Sequence, residues 1–384
     1  MSETLTAHTI DSLDNIDAAA WNKLTASEYP FLRHEFLAAL ERQHCLGQNT
    51  GWMPQHLVFE DKQHYLIAAL PMYLKHNSFG EFVFDWTWAE AYHRNSIPYY
   101  PKLVVAAPFT PATGPRILIA KEHNSNDLQS SVIDTAIEVA KNLNVSSLHW
   151  LFTQNPSPPS EHSLLHRVGC QFHWHNRNYY IFDDFLSDLT SKKRKQIKRE
   201  RRQVADAGIR IKRVPGLEAT RDQWQTFYKH YCSTFAEYGN YPALTLGFFT
   251  EIAATMGEQI MLLLAYRGNS VVASSYFLIG KNVLYGRYWG CSEKHPGLHF
   301  EACYYQGIEY CIEHHLEHFE PGAQGEHKIS RGFLPTKTRS LHWILNEQFS
   351  AAIAKFLTRE ADQMELYIKE LDKHSPYKSA PNPC

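Results

Sequence analysis

The chain has 384 residues, enough for about two to three domains of roughly 100–200 residues each and for a sizeable core. Its 38 Lys and Arg against 40 Asp and Glu give a formal net charge of −2, which argues against a protein coated in nucleic acid. Hydrophobic residues at 44% and aromatics at 13% exclude disorder over most of the length and predict an aromatic-lined site. The seven cysteines are scattered without a CxxC pair, the usage of a reduced compartment. No basic stretch leads into an apolar one at the start, and no window nears about 18 uninterrupted apolar residues. The expectation is a cytoplasmic protein with neither signal peptide nor membrane span.

In chain order, Tyr29-Pro30 is followed by Leu32, Phe36 and Leu37, then by an apolar strand at 57–59, a polar turn at 60–63 and a strand at 65–74. A helix starting near Asp85 sets Glu90 and His93 on adjoining faces. With Tyr99 and Tyr100 these residues form a cradle for an amine-bearing substrate, or else a capped helix with a proline-rich connection. Val132, Ala136, Ile137 and Ala140 recur at helical spacing before a strand at 147–152. Residues 155–160 have turn chemistry and 179–182 read as a strand. The expected division is therefore a domain at 1–165, a second at 166–374 with a basic helix at 190–207, and a flexible tail at 375–384.

That basic helix starts at the cap Ser191, ends toward Gly208 and holds eight basic residues and one acidic between 191 and 202. Ile197 and Val204 give it only a thin apolar stripe. Lys192, Arg194, Lys195, Lys198 and Arg202 are candidates to hold phosphates, as on RNA, the alternative being a solvated face paired with acidic neighbours.

The second half repeats the first. Tyr241-Pro242, Leu244, Phe248 and Phe249 keep the spacing of the Tyr29-Pro30 segment 212 residues later, and strand, turn and strand follow at 261–266, 267–270 and 271–279. A strand at 284–290 carries Arg287 and Trp289, and Gly297, His299 and Glu301 open a helix that leads to the strand at 318–320. Two helices, an antiparallel meander, a helix and a strand is the order of the GNAT acyltransferase fold. The predicted fold class is α/β, with two tandem GNAT-like domains, each a mixed, largely antiparallel sheet flanked by helices. The loop at 291–297 has one glycine and lacks the usual coenzyme A phosphate-cradle pattern. Where the last strand gives way to a loop, Glu320, Gln324, Glu326, His327, Lys328 and Arg331 crowd into twelve residues, a mix suited to acid/base work or to a solvated turn. The histidine clusters match no zinc spacing, so no metal site is expected.

The strings WAEAYHRN, YYPKL and PFTPATGPR within 88–116, SKKRKQIKRERR at 191–202, and YGRYWG, LHFEACYYQGIEYCIEH and FEPGAQGEHKISRGFLPTKTRSLHW within 285–343 resemble the FemAB-like group of N-acyltransferases. The resemblance implies tandem GNAT-like domains and attack of a substrate amine on an activated acyl ester or thioester. It implies an amine-bearing small-molecule or peptide acceptor linked to peptidoglycan, acyl-CoA or aminoacyl-tRNA as co-substrate, and no firmly bound cofactor. Such a step needs a neutral amine, a positioned electrophile and a stabilised oxyanion. On residue chemistry, Glu320 or Glu326 with His327 would accept the proton, and Lys328 and Arg331 would steady the oxyanion or donor phosphates. Arg287, Trp289, His299, Glu301 and Gln324 would line the same cleft, and Asp85, Tyr99 and Tyr100 would hold the acceptor with Glu90 and His93. The competing expectation is a non-catalytic module that binds a peptidoglycan precursor or RNA.

Overall fold

A computed structural model of the protein describes residues 5–24, 29–154, 164–323 and 325–378. It divides into two units, residues 1–169 with 337–366 and residues 170–336 with 367–384.

The strands of the first unit are β1 (Thr6–Ile10), β2 (Trp52–Pro54), β3 (His56–Glu60), β4 (Leu66–Leu70), β5 (Met72–Lys75), β6 (Lys102–Val105), β7 (Leu118–Ile119) and β8 (Ser147–Trp150). β1, β3, β4 and β7 make an antiparallel sheet. Pro71, with no N–H to give a ladder, separates β4 from β5. In the second sheet β2, β5 and β6 pair antiparallel, while β6 lies parallel to β8, Leu103, Val104 and Val105 opposite Leu148, His149 and Trp150. The helices are α1 (Ala18–Leu24), α2 (His34–Arg42), α3 (Trp86–Arg94) and α4 (Asn126–Asn142). Ser125 caps α4 by accepting from the Leu128 N–H. The predicted apolar stripe of α4, Val132, Ala136, Ile137 and Ala140, is buried together with Ile133 in one cluster with Leu103, Val105, Leu148 and Trp150.

The second unit follows with β9 (Leu165–His175), α5 (Phe182–Asp188), α6 (Ser191–Asp206), β10 (Ile209–Pro215), α7 (Arg221–Glu237), α8 (Leu246–Met256), β11 (Ile260–Arg267), β12 (Ser270–Ile279) and β13 (Val283–Cys291). Next come α9 (Leu298–Phe300), a single π-helical turn (Glu301–Tyr305), α10 (Gln306–Glu313) and β14 (His318–Glu320). Its sheet runs β10-β11-β12-β13-β14-β9, antiparallel except for β13 beside β14. Each unit therefore holds the same succession: an antiparallel meander, a helix, and a strand parallel to the meander's last. Finally β15 (Leu334–Ile344), whose Leu341 to Ile344 pair with β8, leads into α11 (Glu347–Asp372).

Three expectations change. The two contiguous domains become interleaved units, because the chain passes from one to the other inside β9, β15 and α11. Residues 179–182 are no strand: the Asp184 carboxylate accepts from the N–H groups of Tyr180 and Ile181 and starts α5. The start of the tail is held, since Tyr377 is buried against Phe185 and donates to the Gly332 carbonyl at 2.7 Å; residues 379–384, like the turn at 155–160, lie outside the described residues. Among the described residues no helix is long and apolar enough to cross a membrane.

Candidate active site

The second unit contains a cleft, and the reason for it is local. β14 is three residues long and pairs with β13 only at Val283, Leu284 and Tyr285. Pro321 then ends the ladder, while β13 runs on to Cys291 without a β14 partner. Opposite β12 the register slips, with Tyr276 facing Tyr288 and Phe277 facing Gly286, so Arg287 is the extra residue of a β-bulge. Bulges re-aim side chains and are common beside active sites. The helix that follows contains the π turn, a second irregularity of functional sites. Gly297 starts that helix at φ +81, and a Cβ there would meet the Glu200 carbonyl oxygen at 2.7 Å. Glycine thus permits both the left-handed backbone and the close approach of α6.

The cleft has a volume of about 330 Å³ and is lined from β12 by Ser275, from β13 by Arg287 and Trp289, from the helix by His299, Cys303 and Tyr304, and from the loop after β14 by His327 and Lys328. Lys328 is buried, and its Nζ donates to the Gly322 carbonyl at 2.8 Å. Among the described residues no Asp or Glu lines the cleft. Burial lowers the Lys328 pKa to about 8. Burial, with the nearby His327, Arg331 and Lys328, lowers His299 to about 4. His327 is lowered too, by burial and then by Lys328 and Arg331, so both imidazoles are neutral at pH 7. The Tyr304 hydroxyl and His327 Nε2 are hydrogen-bonded at 2.9 Å. Cys303 Sγ lies 3.5 Å from Ser275 Oγ, and burial pushes its thiol up to about 12, far from a reactive thiolate.

The structure thus brings together five of the residues singled out in the sequence: Arg287, Trp289, His299, His327 and Lys328. It places the others elsewhere. Glu326 is exposed and accepts from the Tyr367 hydroxyl at 2.6 Å, and Glu320 closes β14 opposite Tyr285, so neither carboxylate lines the cleft. Arg331 is buried in an ion pair with Glu200 at 2.8 Å and lies 3.3 Å from the centroid of the Phe300 ring. Glu301 is likewise buried, facing Arg201 at 3.1 Å and Gln306 at 2.7 Å. Gln324 lies outside the described residues. Sequence reasoning misses Ser275 and Tyr304; the only signal is a serine pair inside the otherwise apolar strand β12.

Helix α6 starts at Ser191, one residue past the true cap position Thr190, which makes no side-chain cap bond. Ile197, Glu200 and Val204 are buried; Lys192, Lys195, Lys198 and Arg202 are exposed and Arg194 is half-buried. Lys198 is 3.4 Å from Asp183. Glu200 joins this helix to Arg331 and Tyr305, so the basic face is carried on the same framework as the cleft.

In the first unit Asp85, Tyr99 and Tyr100 do meet, but not as an open cradle. Lys102, which looks like an ordinary strand residue in the sequence, is wholly buried and ion-paired with Asp85 and, at 2.8 Å, with Glu81. The Tyr99 hydroxyl donates to Asp85 at 2.5 Å, Ser78 donates to Asp85 at 2.6 Å, and Ser78 and Tyr100 are linked at 2.7 Å. Burial alone would raise the Asp85 pKa, but the Lys102 charge outweighs it and holds the carboxyl at about 2. Glu90 and His93 lie on the exposed face of α3, Glu90 paired with Arg94 at 2.9 Å.

In each of the two units an antiparallel meander ends in a parallel strand pair joined through a helix, the order expected of tandem GNAT-like domains. The chain belongs to the FemAB-like family, described as peptidoglycan biosynthesis/recognition, whose model matches residues 12–379. No curated protein sequence matches it. Among solved structures it resembles FemX, at 11% identity and a TM-score of 0.53 over 91% of this chain and 100% of that one. It also resembles the C-terminal domain of a protein of lysylphosphatidylglycerol-synthetase type from Agrobacterium fabrum, at 9% identity and a TM-score of 0.56 over 90% and 97%. A tandem GNAT protein from the clavulanic acid biosynthesis pathway aligns at 10% identity and a TM-score of 0.46 over 89% and 99%. At these identities the likeness to FemX and to the Agrobacterium fabrum domain is one of fold.

Proposed function

We propose that the cleft of the second unit moves an aminoacyl group from charged tRNA to the amine of a peptide acceptor of the peptidoglycan kind. The observation that supports this best is Lys328: a buried cation with a carbonyl for a partner, in a cleft with no lining carboxylate among the described residues. An uncompensated buried charge is costly, and it is offset when negative charge develops beside it. In acyl transfer that charge is the tetrahedral oxyanion. The amine nitrogen forms its bond to the ester carbonyl carbon, the oxyanion is stabilised by the Lys328 ammonium, and the C–O bond to the ribose breaks. The proton released by the amine passes through neutral His327, steadied by Tyr304, to the departing ribose oxygen, which leaves as a hydroxyl. The exposed bases of α6 supply the electrostatic hold on a polyanionic donor. No tightly held cofactor enters the scheme, and the carboxylates of Glu320 and Glu326 have no part in it.

The test is mass spectrometry of an amine acceptor after incubation with the full chain and charged tRNA. Lys328→Met should lower kcat by about 10²–10³, the cost of one lost oxyanion donor, with KM for the acceptor little changed. Thermal shift provides the check on the donor: charged tRNA should stabilise the protein in a salt-sensitive way. Stabilisation by coenzyme A alone would replace tRNA with an acyl thioester.

A further inference from the structure

One segment of the first unit is folded inside out. Between residues 78 and 86, Phe79, Phe82, Phe84 and Trp86 are 71%, 40%, 42% and 54% exposed, whereas Ser78 and Glu81 are 3% and Asp85 is 2% exposed. The usual placement, carboxylates in water and aromatic rings in the core, is reversed at each of these positions. The reversal is held from behind by the buried cations Lys75 and Lys102 and by the half-buried Arg167. Lys102 Nζ holds Glu81 at 2.8 Å and Ser78 at 3.0 Å and is ion-paired with Asp85. The Phe79 carbonyl accepts from Lys75 Nζ and from Trp52 Nε1, both at 3.1 Å. The Phe84 carbonyl accepts from Arg167 Nη1 at 2.7 Å, and the Phe79 N–H donates to Asn77 Oδ1 at 3.0 Å. Phe82 sits at φ +61, a left-handed conformation that is strained for a bulky side chain. The Phe84 and Trp86 rings lie together, their centroids 4.7 Å apart.

We propose that this aromatic loop docks the protein on a lipid bilayer by inserting its four rings at the headgroup and acyl-chain boundary. Two observations favour a lipid over a protein partner. The exposed ring area is about 400 Å² on ordinary aromatic side-chain sizes, half of the about 800 Å² that each partner gives to a stable protein interface. It suits reversible interfacial binding, where Trp and Phe are favoured. Finally, the segment turns both of its carboxylates inward, so it offers no repulsion to anionic headgroups.

The experiment is flotation of the full chain with vesicles of phosphatidylcholine alone and of phosphatidylcholine with phosphatidylglycerol. The protein should float with both, and the triple variant Phe79→Ser, Phe84→Ser, Trp86→Ser should partition at least about tenfold more weakly with an unchanged Tm. Lipids brominated on their acyl chains should quench the native fluorescence, and Trp86→Phe should float normally but be quenched less. Failure of the native chain to float, or equal flotation of the triple variant, would overturn the proposal. So would flotation confined to anionic vesicles and lost on neutralising Lys192, Lys195, Lys198 and Arg202. Self-association of the native chain, abolished in the triple variant and without flotation, would overturn it in favour of a second copy as occupant.

Discussion

Lys328 ties the chemistry of the site to pH through one proton. Below its pKa of about 8 the side chain is an ammonium, and above it a neutral amine. A role that needs the positive charge is therefore present at low pH and lost as pH rises through about 8. The acyl-transfer rate, corrected for spontaneous hydrolysis of the donor ester, should fall along that limb. Lys328→Arg keeps its charge far above this range, so its profile should stay flat to at least about pH 10 even if its maximum rate is lower. A native profile still rising between pH 8 and 10 would end the oxyanion assignment. By contrast, the double variant Glu320→Gln, Glu326→Gln should change kcat by no more than about threefold, well short of the 10²–10⁴ carried by a general base. Lys328 and His327 can be picked out of the sequence because a short run of glycines and titratable groups stands at a strand end. The run cannot show which side chains point inward. Glu326 precedes His327 by one residue, yet it turns to Tyr367 while His327 meets Tyr304.

Helix α6 is one element with two opposed tasks. Its inner face is held largely by polar pairs: Glu200 with Arg331 and Tyr305, and Arg201 with Glu301 and Glu309 at 3.1 Å and 2.9 Å. Removing one partner of such a buried pair strands the other's charge, so Glu200→Ala should cost about 3–5 kcal/mol in urea unfolding. Glu200→Gln, which keeps the volume and one acceptor, should cost less. Replacing Lys192, Lys195, Lys198 and Arg202 by Gln touches only the exposed face. It should leave stability unchanged while lowering tRNA affinity and flattening the salt dependence by roughly 0.7–0.9 for each phosphate no longer neutralised. An unaltered salt slope in that variant would remove the donor-docking role. The two faces are half legible in the sequence. Eight basic residues among twelve announce a charged helix, and Ile197 and Val204 mark a buried stripe, but Glu200, between them in the same run, reads as one more solvated charge. Its burial depends on Arg331, 131 residues away, a pairing no local pattern carries. The strand expected at 179–182 fails for a related reason: aromatic and β-branched residues favour a strand, but the Asp184 carboxylate captures two of the backbone N–H groups a strand would need.

At the scale of the whole molecule the internal repeat is readable, because each half carries its own turn residues and hydrophobic periods in the same order. The closing of the first unit is not. Residues 337–366 return to it from the far end of the chain, and they complete it rather than decorate it. Leu341, His342, Trp343 and Ile344 of β15 pair with Trp150, His149, Leu148 and Ser147 of β8. His342 Nδ1 lies 2.6 Å from His149 Nδ1, and both rings are wholly buried. Ile344, Ile353 and Leu357 share a core cluster with Trp88, Tyr92 and Tyr99. A fragment cut at the boundary suggested by the sequence, residues 1–165, would leave β8 as a sheet edge and expose that cluster to water. It would also leave His149 without its ring partner. Loss of several buried side chains at about 1.5–3 kcal/mol each is as large as a typical margin of about 5–15 kcal/mol. The fragment should therefore show no cooperative thermal transition by circular dichroism and poor amide dispersion by NMR. A chain in which residues 337–366 are joined by a flexible linker to residue 169 should regain both. If the bare fragment unfolds cooperatively near the Tm of the full chain, the first unit does not need its returning strand and helix.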